Sequence, residues 1–411
     1  MGLKQVYEKW TSINLVFRIL AGLIIGAVLA LVVPGLEPVS LLGTLFVNAL
    51  KAIAPILVFV LIISALAGAG GGIGSKFEKV LMLYIGSTII AAAVAVIMSY
   101  AFPLTVTLIE PDDSAAVTDT WALISGVIEG IFTNPVTAIA EGNYLSILFW
   151  AALIGFVTKV IASDNTKKLF KDAANIVTVV IRIIIEFAPI GIMGLIYNTV
   201  STNGLEIFAE YGALIALLVV CMLIVIFVTN PIIGALMMHR NPYPLLLRCL
   251  RDSAVTAFFT RSSAANIPVN LSLCEKLGLD DSFYSVSIPL GATINMNGAA
   301  ITITVMTLCA AFTLGMDVPF AMALLLCIIA TIAACGASGV SGGSLLLIPL
   351  ACSMLGIGED VAMQMVAIGF IIGVIQDSLE TALNSSADVY FTAVSEVADA
   401  RKRGEELELN L

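Results

Sequence analysis

Long apolar runs joined by short polar loops dominate the chain. Those at roughly 14–33, 41–66, 79–103, 143–163, 174–198 and 212–237 are each long enough to form a helix across about 30 Å of hydrocarbon, which takes about 20 residues. The pattern then changes. Between Arg251 and Lys276 the apolar stretches flanking Thr260, Arg261, Ser262, Ser263 and Asn266 are too short to cross separately, and Pro268 limits helix continuity. This predicts a re-entrant hairpin at about 246–273 that turns inside the membrane at the serines. A second such element, about 318–357, is broken by Gly336, Ser338, Gly339, Ser341, Gly342, Gly343 and Ser344. Irregular backbone at that depth is tolerated only where it is buried in protein or lines a cavity. A polar-streaked span follows each hairpin, at about 282–314 and 363–396.

The last span carries the most costly pattern. Asp377, Glu380, Thr381, Asn384 and Asp388, at about 100° per residue, share roughly a 100° arc of one helix face. An ionisable group at bilayer depth costs a few kcal/mol even on lenient scales, so these acids point to function.

Composition agrees: 60% hydrophobic and 12% charged residues, with a mean hydropathy of +1.07, exclude an ordinary soluble protein and predict an all-α polytopic membrane protein. Charge orients it. Lys4, Lys9, Arg18, Lys76, Lys79, Lys159, Lys167, Lys168, Lys171, Arg240, Arg248, Arg251, Lys276, Arg401, Lys402 and Arg403 all fall on one side of a consistent topology. By the positive-inside rule that side is cytoplasmic, with both termini. The opposite loops, with Glu110 to Asp119, Glu206 to Glu210, Asp317, Glu359 and Asp360, hold acids and no bases. The first hairpin therefore enters from the cytoplasm and the second from outside. The net charge of −10 says little about partners. The first apolar run is too long for a cleaved signal peptide and is expected to stay as a span. The seven cysteines lack metal-ligand spacing, and the single histidine, His239, reads as a loop residue. Of the bases within apolar segments, Arg182 and Glu186 have the i,i+4 spacing of a structural pair, and Lys51 is left alone.

A hairpin plus a helix, twice, in opposite orientation, is the signature of a secondary transporter, in which helix N-termini favour anionic groups and unwound carbonyls bind cations. Close packing at small residues accounts for one glycine-serine tract, less readily for two opposed ones with three buried acids. A channel is the different-class alternative. An intramembrane enzyme using Ser262 or Ser263 lacks an evident base.

The Arg261-Ser262-Ser263 tip ending in Asn266, Ile267, Pro268 and Val269, the Asn295-Met296-Asn297-Gly298 run, the glycine-rich second hairpin, the Asp377 to Asp388 helix and Phe187-Ala188-Pro189-Ile190-Gly191 resemble the dicarboxylate/amino acid:cation symporter family. Glutamate and aspartate transporters and bacterial serine/threonine:sodium symporters belong to it, and the chain reads as nearer the latter. The resemblance covers nearly the whole chain. Members of this family are established examples of inverted-repeat transporters. It implies eight transmembrane helices plus the two hairpins, working as an elevator-type homotrimer in a bacterial inner membrane. Scaffold helices 1 and 2 would occupy 1–75, transport-domain helix 3 76–110, and an extracellular loop with scaffold helices 4 and 5 111–205. The transport core and cytoplasmic tail would occupy 206–411. Expected partners are an amino acid substrate and membrane lipid, with no nucleic acid and no organic cofactor; sodium is the coupling ion, with proton coupling as the alternative.

For the substrate, backbone N–H groups near Ser262, Ser263 and Gly342 to Ser344, with the Asn384 amide, supply donors for a carboxylate. Asp377 is the natural ammonium partner; an internal salt bridge to Arg261 is its alternative role, and the two are compatible. Thr381 adds a hydroxyl, and Val340 completes the expected set. The resemblance places one sodium site at Gly291, Asn295, Asn384 and Asp388, where hard oxygens with one anion suit a small dehydrated cation. A second would use Thr293, Met296, Ala334, Cys335 and Ala337. A third, at Tyr84, Ser87 and Thr88 with Asn295, carries Asn297 where acidic amino acid transporters have an aspartate. Without that anion it is expected to be weak or empty.

Substrate choice follows from two departures. Where acidic amino acid transporters place an arginine for the side-chain carboxylate this chain has Glu380, and an assisting threonine is Ala299. A glutamate there repels a second carboxylate. It can hydrogen-bond the hydroxyl of serine or threonine, while Ala299 leaves room for a methyl group. The alternative for Glu380 is a pair with Arg261 away from substrate.

Overall fold

The computed structural model describes residues 13, 15–68, 74–108, 131–337 and 342–411, and among them every regular element is helical. The first part of the chain forms α1 (Leu15–Val32), α2 (Glu37–Gly68), α3 (Gly74–Ala101), the short α4 (Pro135–Glu141), α5 (Tyr144–Ile161), α6 (Asp164–Glu186) and α7 (Ala188–Asn203). α8 (Ile207–Ile224) continues through a π-helical turn, Val225–Thr229, into α9 (Asn230–Met238). Pro231 explains the wide turn: its ring displaces the carbonyl one turn back, and the π geometry absorbs that without breaking the helix.

Among the described residues five helical stretches are long and apolar enough to cross a membrane: Glu37–Ser64, Phe77–Ala101, Ile207–Met238, Asp281–Thr313 and Glu359–Lys402. The expected single span at 174–198 is instead two helices, α6 and α7, bent by 54°. Pro189, at the start of α7, cannot donate to the α6 ladder, and the chain turns at Phe187. Phe17–Val32 and Ser146–Ile161 are shorter apolar helices, so the expectation of eight spans requires that these cross as well.

Two packing groups emerge. α1 lies against α7, and α2 packs on α5, α6 and α7. Glycines permit the first contact, since a Cβ at Gly22 would sit 2.1 Å from Pro189 O and one at Gly26 2.4 Å from Met193 O. The Arg182–Glu186 pair expected from spacing is not the pair that forms. Glu186 Oε2 instead holds Arg18 Nη1 at 2.7 Å, because Arg18 is buried and needs a counter-charge whereas Arg182 reaches solvent or lipid. Lys51 finds Asp360 at 2.9 Å and Glu359 at 3.4 Å.

The second group surrounds α17 (Glu359–Lys402), a 44-residue helix with acids in its first turn and bases in its last, matching the helix dipole. It touches α3, α8, α9, both arms of the first hairpin and the second arm of the second hairpin. The first hairpin comprises α10 (Tyr243–Cys249), a π turn (Leu250–Ala254), α11 (Val255–Thr260) and α12 (Ser263–Leu277). Arg261, at φ 52°, reverses the chain, and the Ser262 hydroxyl caps α12 by accepting from Ala265 N. α12 runs unbroken through Pro268, contrary to expectation: the proline removes one ladder bond, and burial of the arm on α17 outweighs that loss. The second hairpin comprises α15 (Phe320–Ala334), a 3₁₀ turn (Leu345–Leu347) and α16 (Ile348–Met354).

The hairpins are opposed. The base of the first lies at the C-terminal end of α17, where Asp280 N donates to Glu396 at 3.0 Å, and α16 of the second leads directly into the N-terminal end. Both breaks reach Asp377, which by helix rise is about 27 Å from the N-terminal end of α17 and about 38 Å from its C-terminal end.

Candidate functional site

The expected span at 282–314 is interrupted. α13 (Asp281–Ile294) stops, Asn295 and Met296 adopt non-helical angles, and α14 (Asn297–Thr313) restarts. Side chains across the gap replace the missing ladder. Asn384 Oδ1 accepts from Gly298 N at 2.7 Å, satisfying one free N–H of α14, and Asn384 Nδ2 donates to Met296 Sδ at 3.4 Å. Asn295 Nδ2 donates to Asp388 Oδ1 at 2.9 Å and to Asn384 O at 3.3 Å.

This interruption brings together all four members of the first expected sodium site. A Cβ at Gly291 would lie 2.7 Å from Asp388 Oδ1 and 2.9 Å from the Tyr84 hydroxyl, so only glycine leaves that space open. Asp388 is 0% exposed, and its Oδ2 and Asn295 Oδ1 are buried acceptors with no hydrogen-bond partner among the described residues. Unmet buried acceptors around one carboxylate fit a small dehydrated cation. Tyr84 closes the site by bonding Asp388 O at 3.2 Å, Ser287 O at 3.2 Å and Thr392 at 3.0 Å.

The third-site residues also meet. The Ser87 and Thr88 hydroxyls donate to Asn297 Oδ1 at 3.1 and 2.9 Å. Both hydroxyls also lie within bonding distance of Tyr84 O, at 3.1 and 2.7 Å, so each single hydrogen has two acceptors in reach, and Asn297 Nδ2 is buried with no hydrogen-bond partner among the described residues. For the second site, Cys335 Sγ lies 3.5 Å from Ile294 O, which puts the end of α15 beside the α13 break; Ala334 and Ala337 are buried there and Thr293 is exposed.

Asp377 collects both hairpins. Arg261 Nε donates to its Oδ2 at 2.7 Å and Gly342 N to its Oδ1 at 3.2 Å. The salt bridge given above as its alternative role is therefore formed. Ser263 is buried beside the first tip, and Arg261 Nη1 is buried with no hydrogen-bond partner among the described residues. Thr381 donates its hydroxyl to Asp377 O within its own helix. Val340 lies outside the described residues. Glu380 does not pair with Arg261 in an ion pair; its Oε2 accepts from Thr302 and Ser344, each at 2.8 Å, and from Gln376. Ala299 is fully buried on the same α14 segment.

Several participants carry little signal in the sequence. Thr302 and Gln376 surround Glu380. Ser253, Asn266, Asn270 and Ser385 form a buried cluster that fastens both arms of the first hairpin to α17, with Asn270 Nδ2 to Ser385 O at 3.0 Å and Ser253 Oγ to Asn270 Oδ1 at 2.6 Å. The only signal was i,i+4 polarity, Gln376 before Glu380 and Asn266 before Asn270, which marks a face and not its partner. A separate cavity of about 270 Å³, lined by Asn48, Lys51, Asn198, Asp360 and Gln364 among others, lies between α2, α7 and α17, away from these groups.

Opposed hairpins and an interrupted helix converge on buried carboxylates within an all-helical polytopic membrane protein, the arrangement of a transporter. Residues 15–397 match the family model described as the sodium:dicarboxylate symporter family, and the chain belongs to that family. Similar curated proteins include the "Serine/threonine transporter SstT" of Bifidobacterium adolescentis, 52% identical over 99% of this chain and 95% of that protein. Proteins of the same name from Streptococcus agalactiae and Streptococcus thermophilus are 53% identical over 96% of this chain and 98% of theirs, and 49% identical over 97% and 100%.

Proposed function

We propose that the chain is a sodium-coupled symporter that imports serine and threonine across a bacterial inner membrane. The observation that carries this reading is Glu380: a buried carboxylate stands where the family resemblance places the arginine of acidic amino acid transporters, and it is held in place by neutral donors. Dicarboxylic substrates would meet like charge there, whereas a hydroxyl would meet an acceptor. The names of the similar proteins agree with this substrate class.

The proposed roles follow the chemistry. Asp377 receives the substrate ammonium, and backbone donors at Ser262, Ser263 and the Gly342 to Ser344 segment, with Asn384, receive its carboxylate. Opening of the second hairpin would exchange the Gly342 contact for substrate. Asp388, Asn295, Asn384 and Gly291 take one sodium ion, and the break near Thr293, Met296, Ala334, Cys335 and Ala337 a second. The Asn297 site stays weak. The packing of α1, α2, α5, α6 and α7 on one another supports their assignment as a scaffold, with α3, α8 and the hairpin half as the moving body of a trimeric elevator. Both termini would be cytoplasmic, with eight helices crossing.

The test is serine uptake by proteoliposomes under separate sodium and proton gradients. The expected result is saturable uptake driven by inward sodium. Uptake driven by protons alone would overturn the choice of ion, and ohmic conductance without uptake would favour a channel.

A further inference from the structure

We propose that Thr302, Ser344 and Gln376 form a three-donor clamp that fixes the Glu380 carboxylate, making them specificity-determining positioning residues for hydroxylated substrates. The proposal rests on the functional reading above and deepens it.

The hydrogens close on themselves. Thr302 and Ser344 each donate a hydroxyl to Glu380 Oε2 at 2.8 Å. Gln376 Nε2 has two hydrogens: one goes to Thr302 Oγ1 at 2.8 Å and the other to Glu380 Oε2. Reversing the amide would set Gln376 Oε1 against that carboxylate oxygen, two acceptors face to face, so the network dictates the orientation. All four residues are at least 95% buried, which leaves little water to substitute for a missing donor.

The consequence lies at the second oxygen. Oε2 is saturated, and among the described residues no hydrogen bond reaches Glu380 Oε1. Gln376 Oε1 is likewise a buried acceptor without a partner. The unmet groups of the cluster are thus acceptors, and what they lack is a donor such as a hydroxyl. The clamp also draws on three elements: Thr302 from α14, Ser344 from the second hairpin, and Gln376 one turn before Glu380 on α17. Glu380 is therefore aimed only while the second hairpin is seated, which ties recognition of the hydroxyl to gate closure. A site built around such a bond discriminates by leaving its polar groups unpaired with the wrong ligand, and it does so only if the acceptor is held closely in place.

The test is serine and alanine uptake by proteoliposomes of the full chain carrying Thr302→Val, Gln376→Met or Ser344→Ala, with Thr302→Ser as the conservative control. The expected result is a rise of about fivefold or more in the ratio of serine KM to alanine KM in all three, with KM for alanine itself within about twofold in Thr302→Val and Gln376→Met and with Thr302→Ser like wild type. An unchanged serine-to-alanine ratio in Thr302→Val and Gln376→Met overturns the clamp and leaves the functional reading standing. If those two do not elute as folded protein, Ser344→Ala, which loses one hydroxyl and little volume, decides by the same ratio. Absence of saturable serine uptake by the wild-type chain overturns the functional reading and the clamp together.

Discussion

Arg261 Nε lies 2.7 Å from Asp377 Oδ2, joining the tip of the first hairpin to the middle of α17, and both residues are more than 90% buried. With Gly342 N on the other carboxylate oxygen, one acid links both hairpin breaks. Breaking a buried pair by removing one partner costs about 3–5 kcal/mol, because the remaining charge is left uncompensated. Arg261→Ala is therefore expected to lower the melting temperature in detergent markedly. Asp377→Asn should do the same and also abolish serine uptake. An Asp377→Asn protein that transports at the wild-type rate would exclude this carboxylate as the ammonium partner.

The Asn295–Asp388 contact makes a separate claim about the ion. Asp388→Asn removes the one formal anion of the site and is expected to raise the half-saturating sodium concentration by at least about tenfold; Asn295→Ala, which frees the carboxylate that it orients, should raise it by about tenfold. Sodium titration of serine uptake measures both. Unchanged sodium dependence in Asp388→Asn would move the ion elsewhere.

Gly291→Ala tests the space rather than the charge. Its Cβ would fall 2.7 Å from Asp388 Oδ1 and 2.9 Å from the Tyr84 hydroxyl, distances that force the carboxylate to move. Sodium affinity is expected to fall while elution in detergent remains that of the folded protein. Wild-type sodium affinity in this variant would show that the cradle is not needed.

Asn297 concerns stoichiometry. Its amide oxygen already accepts from Ser87 and Thr88, and it adds no charge to balance ion dehydration. Serine carries no net charge, so the charge moved per serine counts the coupled sodium ions; about two are expected, against about three with a working third site, and Asn297→Asp is expected to raise the ratio. A wild-type ratio of about three charges per serine would contradict the weak third site.

The hydrophobic pattern by itself determined that the chain lives in a membrane, that two segments cannot span, and that α17 bears one polar face. Those conclusions follow from length, period and desolvation, which are properties of a segment alone. It also brought out Asp377, Glu380, Asn384 and Asp388, because a carboxylate in an apolar helix is conspicuous wherever it packs. Only the tertiary structure decided what each acid touches. The break at Asn295 and Met296 was hidden, since its missing ladder bonds are replaced by Asn384 from a helix about 90 residues away in the chain. The bend at Phe187 is likewise invisible to hydropathy, which runs on unbroken from α6 into α7 despite Pro189. Arg18 displaced Arg182 as the partner of Glu186 because burial, not spacing, sets how badly a charge needs a counter-charge. Glu380 shows the division most clearly: its presence could be read from the chain, but the donors that aim it come from three separate elements, and hydrogen-bond geometry between elements exists only once they are packed.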